Sequence, residues 1–173
     1  MMQPQRPTAQ RPSGKPPAAP PPPPLTGAPY KAHTFTITLP DGWKDRTIFT
    51  LTGPVEDGIQ HNVVIMVDDD CTFESVVDYA DWQIRALEDE LRACRLLKKG
   101  KKTLTNGMPA YEAIFRWEPT DSLRLYQHQI YAVVGTMGYK ATASFTKKTR
   151  KTLGPKIERM MLSLLPAQAS GKK

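Results

Sequence analysis

The chain has 173 residues, 24% of them charged and 39% hydrophobic, enough for one domain of ordinary size plus a tail. No run approaches the ~18–20 consecutive apolar residues of a membrane span, and the N-terminus shows neither an apolar leader nor a cysteine for lipidation, so a cytoplasmic protein is expected. The net charge of +7 hints at an acidic partner, but three of those charges fall in the first 30 residues, two at the C-terminal end, and the rest mainly in two clusters.

Residues 1–30 hold eleven prolines, three basic residues and no acid, including the run Pro20 to Pro24. That composition cannot bury enough apolar surface to offset the entropy of ordering, and it reads as a disordered, polyproline-type arm acting as a spacer. Residues 31–166 are expected to fold, and 167–173 to form a flexible basic tail.

The folded part opens on "HTFTITLP", where Phe35, Ile37 and Leu39 alternate with threonines as in a half-buried strand. "PDGW" turns the chain. "RTIFTLTG" and "GIQHNVVIMV" are two further strands, joined by the short loop Pro54 to Gly58 and so expected to be an antiparallel hairpin. "SVVDYADWQIRALEDELRAC" is a helix. Ser75 and Asp78 suggest a capping box, and Val77, Ala80, Ile84, Leu87, Leu91 and Cys94 recur on one side at spacings of three and four. Asn106-Gly107 joins a basic strand near Lys98–Thr105 to a strand at Tyr111–Trp117. "LRLYQHQIYAVVG" and "YKATASFT" add two strands. A last helix carries Leu153, Ile157, Met160, Met161 and Leu164, with Pro155 in its first turn, where a missing N–H costs nothing. The sum is an α+β domain: a twisted, mostly antiparallel sheet of about seven strands with two main helices covering a face.

Enzymatic constellations are poor. His33, His61 and His128 lie on separate strands, and no GxSxG, phosphate loop, GxGxxG or CxxC motif occurs. Asp68-Asp69-Asp70 lacks EF-hand spacing and reads as a solvated turn. Cys71 and Cys94 fit a reducing compartment as free thiols. No catalysis, metal or cofactor is expected.

Strand alternation says more. Phe49 and Leu51 point one way, Ile48, Thr50 and Thr52 the other; Val63, Ile65 and Val67 oppose Asn62, Val64 and Met66. One face is uniformly apolar. The other mixes aliphatic groups with hydroxyls and amides, and Gln127 and Gln129 could extend it. Such a surface would suit an apolar partner that also presents backbone polar groups, as a transmembrane-type helix does.

The segments "LPDGWKDRT", "DYADWQIRALEDEL", "LTNGMPAYEAIFRW" and "FTKKTRKTLGPKIERMMLS" together resemble the DcrB-related family, and within it the Eag chaperones of bacterial type VI secretion systems, over about residues 33–166. The resemblance implies a PsbP-like fold, and a cytoplasmic homodimer that shields the N-terminal transmembrane helices of a secreted effector, often one carrying a PAAR domain, and helps load it onto the secretion spike without inserting into a membrane itself. By motif position it places the helix-gripping surface at Ile48, Thr50, Asn62, Val64, Met66, Gln83, Leu91 and Gln129. Lys147, Lys148, Arg150 and Lys151, at the elbow before the last helix, stay available for acidic groups of a partner. The alternative is a basic-surface module that binds nucleic acid or another acidic partner through this elbow and Lys98 to Lys102; the scattered charge speaks against nucleic acid.

Overall fold

The computed structural model describes residues 26–166. They belong to two compact units, one ending at Lys44 and the other beginning at Asp45, and each is described by itself. The first contains a two-stranded antiparallel ribbon of β1 (Ala28–Lys31) and β2 (Thr36–Leu39), with Ala28 opposite Leu39 and Lys31 opposite Thr36. Two expectations change here. The sequence puts the end of the proline arm at residue 30, whereas Ala28–Lys31 is a strand. Phe35 and Ile37 alternate as expected but remain exposed, because β2 pairs with this short local neighbour instead of joining the large sheet. The polyproline run and the C-terminal tail lie outside the described residues.

The second unit is built on six antiparallel strands: β3 (Ile48–Glu56), β4 (Ile59–Asp68), β5 (Arg95–Thr103), β6 (Pro109–Thr120), β7 (Leu123–Val134) and β8 (Met137–Phe145). Their spatial order is β3-β4-β8-β7-β6-β5. The α+β class holds, with the expected single sheet of seven strands resolved into six plus the separate ribbon of two. The β3–β4 turn is tighter than the sequence suggests. Glu56 pairs with Ile59, and Asp57 and Gly58 both have positive φ, the two-residue hairpin geometry that matches sheet twist. Gly53 and Pro54 fall where the register shifts between Thr52 and Val55, a bulge in which the missing proline N–H is tolerated.

Helix α1 (Val76–Glu90) starts where the Ser75 hydroxyl accepts from the Val77 N–H at 3.1 Å. It ends four residues before the sequence stripe does. Leu91 is its C-cap, and Ala93 adopts a left-handed φ of 50° that no helix continues through. Cys94 still joins the core, from beyond the helix. The final helix is divided into α2 (Thr149–Thr152) and α3 (Gly154–Leu162), with proline in the first turn of α3.

The two long helices pack on opposite faces, not on one face as the sequence suggested. Tyr131 lies opposite both Tyr111 and Lys140, so these three share a face, and α1 sets Tyr79, Ala80 and Ile84 against Tyr111, Ala113, Phe115 and Tyr131 there. The intervening residues Ile130, Ala141, Ala143 and Phe145 point the other way, where Met161 and Ile157 of α3 cover them. The reason is connectivity. The β4–β5 connection must carry α1 across the sheet to its far edge, whereas α3 returns from the centrally placed β8.

Contact between α1 and the sheet is tight at Gly138. A Cβ there would lie 2.6 Å from the Tyr79 ring, which is itself fully buried. Gly138→Ala should therefore destabilise the domain by about 1–3 kcal/mol, as overpacking of a filled core does. Urea denaturation reads the change, and Gly100→Ala, whose added methyl meets open space, should leave the midpoint nearly unmoved.

Candidate functional site

The α1 face is only half covered. The helix lies over β5, β6 and β7, reaches β8 at Gly138 and Lys140, and leaves β3, β4 and the rest of β8 open on this face. Cross-strand register composes this open half row by row. Ile48 faces Met66, which faces Lys140; Thr50 faces Val64, which faces Thr142 and then Gln129; Thr52 faces Asn62. Every one of these side chains is on the face that also carries Tyr131 and α1. Ile48 is 53% and Met66 39% exposed, values that water alone does not favour for side chains of this size. The hydroxyls of Thr50, Thr52 and Thr142 and the amide of Asn62 share the face with them, so the surface is apolar toward Ile48 and Met66 and never far from hydrogen-bonding groups.

The wall of this trough is the flank of α1. Gln83 accepts a hydrogen bond from Lys140 Nζ at 2.8 Å, and its amide nitrogen reaches the Tyr79 hydroxyl at 3.3 Å. Beside them opens a cavity of about 260 Å³ lined by Arg46, Ile48, Met66, Tyr79, Gln83 and Lys140 among others. Burial lifts the Tyr79 phenol to about 12, with the Asp68 charge adding to the effect and the Gln83 hydrogen bond opposing it. Burial pushes the Lys140 ammonium below the ordinary lysine range, and the negative charges of Glu90 and Asp68 offset part of that. At the lip, Arg46 gathers the acidic turn, reaching Asp69 at 2.7 Å, Asp70 at 3.1 Å and Asp68 at 3.7 Å. The three aspartates are thus tied by a guanidinium.

Of the eight residues singled out by motif position, five form one contiguous patch: Ile48, Thr50, Asn62, Val64 and Met66. Gln83 joins it at the wall. Gln129 belongs to the same face but is only 2% exposed, and it is held by Tyr131 and Gln127, so it is floor and not contact surface. Leu91 stands two turns beyond Gln83 at the C-cap and enters neither the cavity nor these rows. Lys140 was missed, because a lysine in "YKATASFT" reads as an ordinary solvent-side residue; its position beside Gln83 depends on the strand order.

The basic clusters are largely committed within the fold. On β5, Lys98 pairs with Glu112 at 2.6 Å, Lys99 with Asp81 at 2.7 Å and Lys102 with Glu158 at 2.6 Å. At the elbow, Arg150 stacks over Tyr126 with its guanidinium 5.1 Å from the ring centroid, and Lys148 approaches Asp57 at 4.0 Å, while Lys147 and Lys151 are exposed. Thr146 and Thr149 cap one another there, each hydroxyl accepting from the other's N–H at 3.0 and 3.2 Å.

Beneath α3, Glu112, His128 and Glu158 come close enough together to bind a metal ion. Lys102 lies 2.6 Å from Glu158 and 3.6 Å from Glu112, so an ammonium already neutralises the carboxylates a cation would need. Burial opposes charge on both Glu112 and His128. For Glu112 the Lys98 hydrogen bond, His128 and Lys102 together outweigh it, and its carboxyl stays below the usual range. For His128 burial wins over the attraction of Glu112 and Glu158, and the imidazole titrates below its ordinary value.

No helix among the described residues is long and apolar enough to cross a membrane. The DcrB family model matches residues 35–164. Among solved structures, PA94 from Pseudomonas aeruginosa, a protein of unknown function, is 20% identical with a TM-score of 0.66 over 82% of this chain and 98% of its own. The solution structure of the PsbP protein CyanoP from Synechocystis sp. PCC 6803 is 10% identical, with a TM-score of 0.44 over 76% of this chain and 86% of its own. No curated protein matches.

The buried pair gives a pH test. A histidine whose folded pKa is depressed favours the unfolded state once the pH falls below the unfolded value near ~6.5, and a depressed carboxylate adds to the loss as pH falls through its own lower range. Stability measured in urea should decline from pH 7 to pH 5, and His128→Gln should flatten that slope.

Proposed function

Since the chain belongs to the DcrB family and leaves half of one sheet face uncovered, we propose that it is a binding protein, a cytoplasmic chaperone that receives a membrane-type helix of another protein in the β3–β4–β8 trough. The observation that carries this reading is the composition of the bare half: Ile48, Val64 and Met66 exposed or half-buried, interleaved with Thr50, Asn62 and Thr142.

Dimensions fit the guest. Three strands ~4.8 Å apart span about 10 Å between the outer two, close to the ~10 Å width of a helix with its side chains. Covering each aliphatic residue of the patch would gain about 1 kcal/mol, given that roughly half of each is already buried. The hydroxyls and amides serve a second need. Small residues on a membrane-type helix bring its backbone within reach, and hydroxyls and amides in the cradle can add hydrogen bonds to the second lone pairs of its carbonyls. The resemblance to Eag chaperones names the guest class: the N-terminal transmembrane segments of a type VI secretion effector, shielded until the effector is loaded on the spike.

A homodimer belongs to the same reading. β3 is an open edge strand, and Phe49 at 54% and Leu51 at 46% exposure lie on the face opposite the trough. There Leu51, Val63, Leu153, Ile157 and Met160 line a hollow of about 310 Å³ that a second copy can fill. Light scattering should return twice the chain mass, and Leu51→Lys should return the monomer while leaving the far-ultraviolet circular dichroism unchanged.

Co-expression tests the chaperone reading. An effector fragment with its membrane helices should be recovered in the soluble fraction with this protein and lost without it. Ile48→Asp or Val64→Asp places a carboxylate under the guest and should cut recovery at least about tenfold, since an unpaired buried charge costs several kcal/mol. Because Ile48 is already half exposed, Ile48→Asp should leave thermal unfolding almost unchanged. Insolubility of every membrane-helix fragment tried, with wild-type protein present, would defeat the reading.

A further inference from the structure

We propose that Lys140 and Gln83 form a socket for a carboxylate on the guest, so that this trough prefers a helix carrying an Asp or Glu within its apolar stretch. The inference rests on the helix-binding reading above and specifies which helices qualify.

Four observations converge on it. Lys140 is placed on β8 between Met66 of β4 and the fully buried Tyr131 of β7, so its stem is enclosed on both sides and its ammonium emerges at the border between the covered and open halves. Its hydrogen-bond acceptor in the fold is an amide, the Gln83 oxygen at 2.8 Å, and among the described residues it makes no ion pair. The lysines of β5, by contrast, meet carboxylates: Lys98 meets Glu112, Lys99 meets Asp81 and Lys102 meets Glu158. The cavity beside it has room for a small side chain and opens onto Ile48 and Met66, where the guest would lie.

The charges nearby do not fill the role. Arg46 engages Asp68, Asp69 and Asp70 at the lip. Asp68 lines the same cavity but faces Arg46 at 3.7 Å, and it and Glu90 act on Lys140 through space without pairing with it. An ammonium has three donors, and Gln83 takes one. Gln83 is also fixed in sense, its oxygen toward Lys140 and its nitrogen toward Tyr79, so the socket presents donors to an incoming acceptor. A guest carboxylate seated there would be excluded from water, where a charge-assisted hydrogen bond is about twice as strong as a neutral one. A guest carrying Lys or Arg at that depth would be rejected by like charge.

The test uses the full chain co-expressed with a soluble carrier fused to one Leu/Ala helix of membrane-spanning length. The helix carries a single Glu moved through its central positions, and matched versions carry Gln. At its best position the Glu guest should be recovered about tenfold better than its Gln twin, the ratio expected for ~1.4 kcal/mol. Lys140→Met should bring the Glu guest down to the Gln level and leave the Gln guest as it was. Gln83→Glu supplies a resident carboxylate without removing the lysine, and should cancel the preference in the same way; it serves where Lys140→Met fails to fold. Equal recovery of Glu and Gln guests by the wild type overturns the socket and leaves helix binding standing. Recovery of neither guest overturns helix binding and the socket with it.

Discussion

A six-stranded sheet is wider than the helices that cover it, and this mismatch governs the whole domain. Six strands ~4.8 Å apart span about 24 Å from first to last, whereas one helix covers ~10 Å. With α1 on one face and α3 on the other, each face keeps a strip that its own chain does not cover. What fills the strips differs. Beyond α3, toward β5, the strip is occupied by the ion pairs of Glu112 with Lys98, Lys102 and His128, with Glu158 reaching down from the helix. Glu112 and His128 are buried at its centre, while Lys98 carries the charge out to water at its rim. Beyond α1, toward β3, the strip holds Ile48, Val64 and Met66. Charge thus fills the strip toward β5, whereas β3 stays apolar on both of its faces, the feature that the proposed guest and second copy would cover.

The interaction that sets the boundary is the seat of Tyr79 on Gly138. A larger residue at 138 would hold the helix off the sheet, and the ring would no longer brace Gln83. Gln83 in turn orients Lys140. Packing at one glycine is thus passed, through a phenol and an amide, to the charged group at the trough border. The link is mechanical and short, and it ties a core contact to the surface chemistry.

Much of the trough was legible before the structure. Period-two alternation assigns Ile48, Thr50 and Thr52 to one side and Phe49 and Leu51 to the other, and hairpin pairing of β3 with β4 follows from a short loop. The face of Gln129 was legible too, but not its burial, because that depends on α1 lying above β7. Lys140 and Glu112 were opaque for a shared reason. A charged residue in an alternating strand reads as solvent-facing, and only the neighbours across the sheet decide whether it is. Nor could the sequence separate β2 from the main sheet, since "HTFTITLP" has the same alternation as a core strand. Pairing with Ala28–Lys31 lies in residues whose prolines argue for no structure at all.

The edges of the sheet complete the asymmetry. β5 carries Lys98, Lys99, Lys101 and Lys102, the charges by which natural sheets discourage edge-to-edge pairing. β3, at the other edge, reads Ile-Phe-Thr-Leu-Thr-Gly-Pro-Val-Glu and has no lysine or arginine; its one obstruction is the bulge at Gly53–Pro54. Protection at one edge and its near absence at the other would be a hazard for a chain that stays alone. Under the proposed function β3 would be covered in use, by a second copy on the Phe49–Leu51 face and by a guest helix on the Ile48–Thr50 face. The two partners would then meet along a single strand, each against alternate side chains, so that dimer and guest are coupled through the backbone they share.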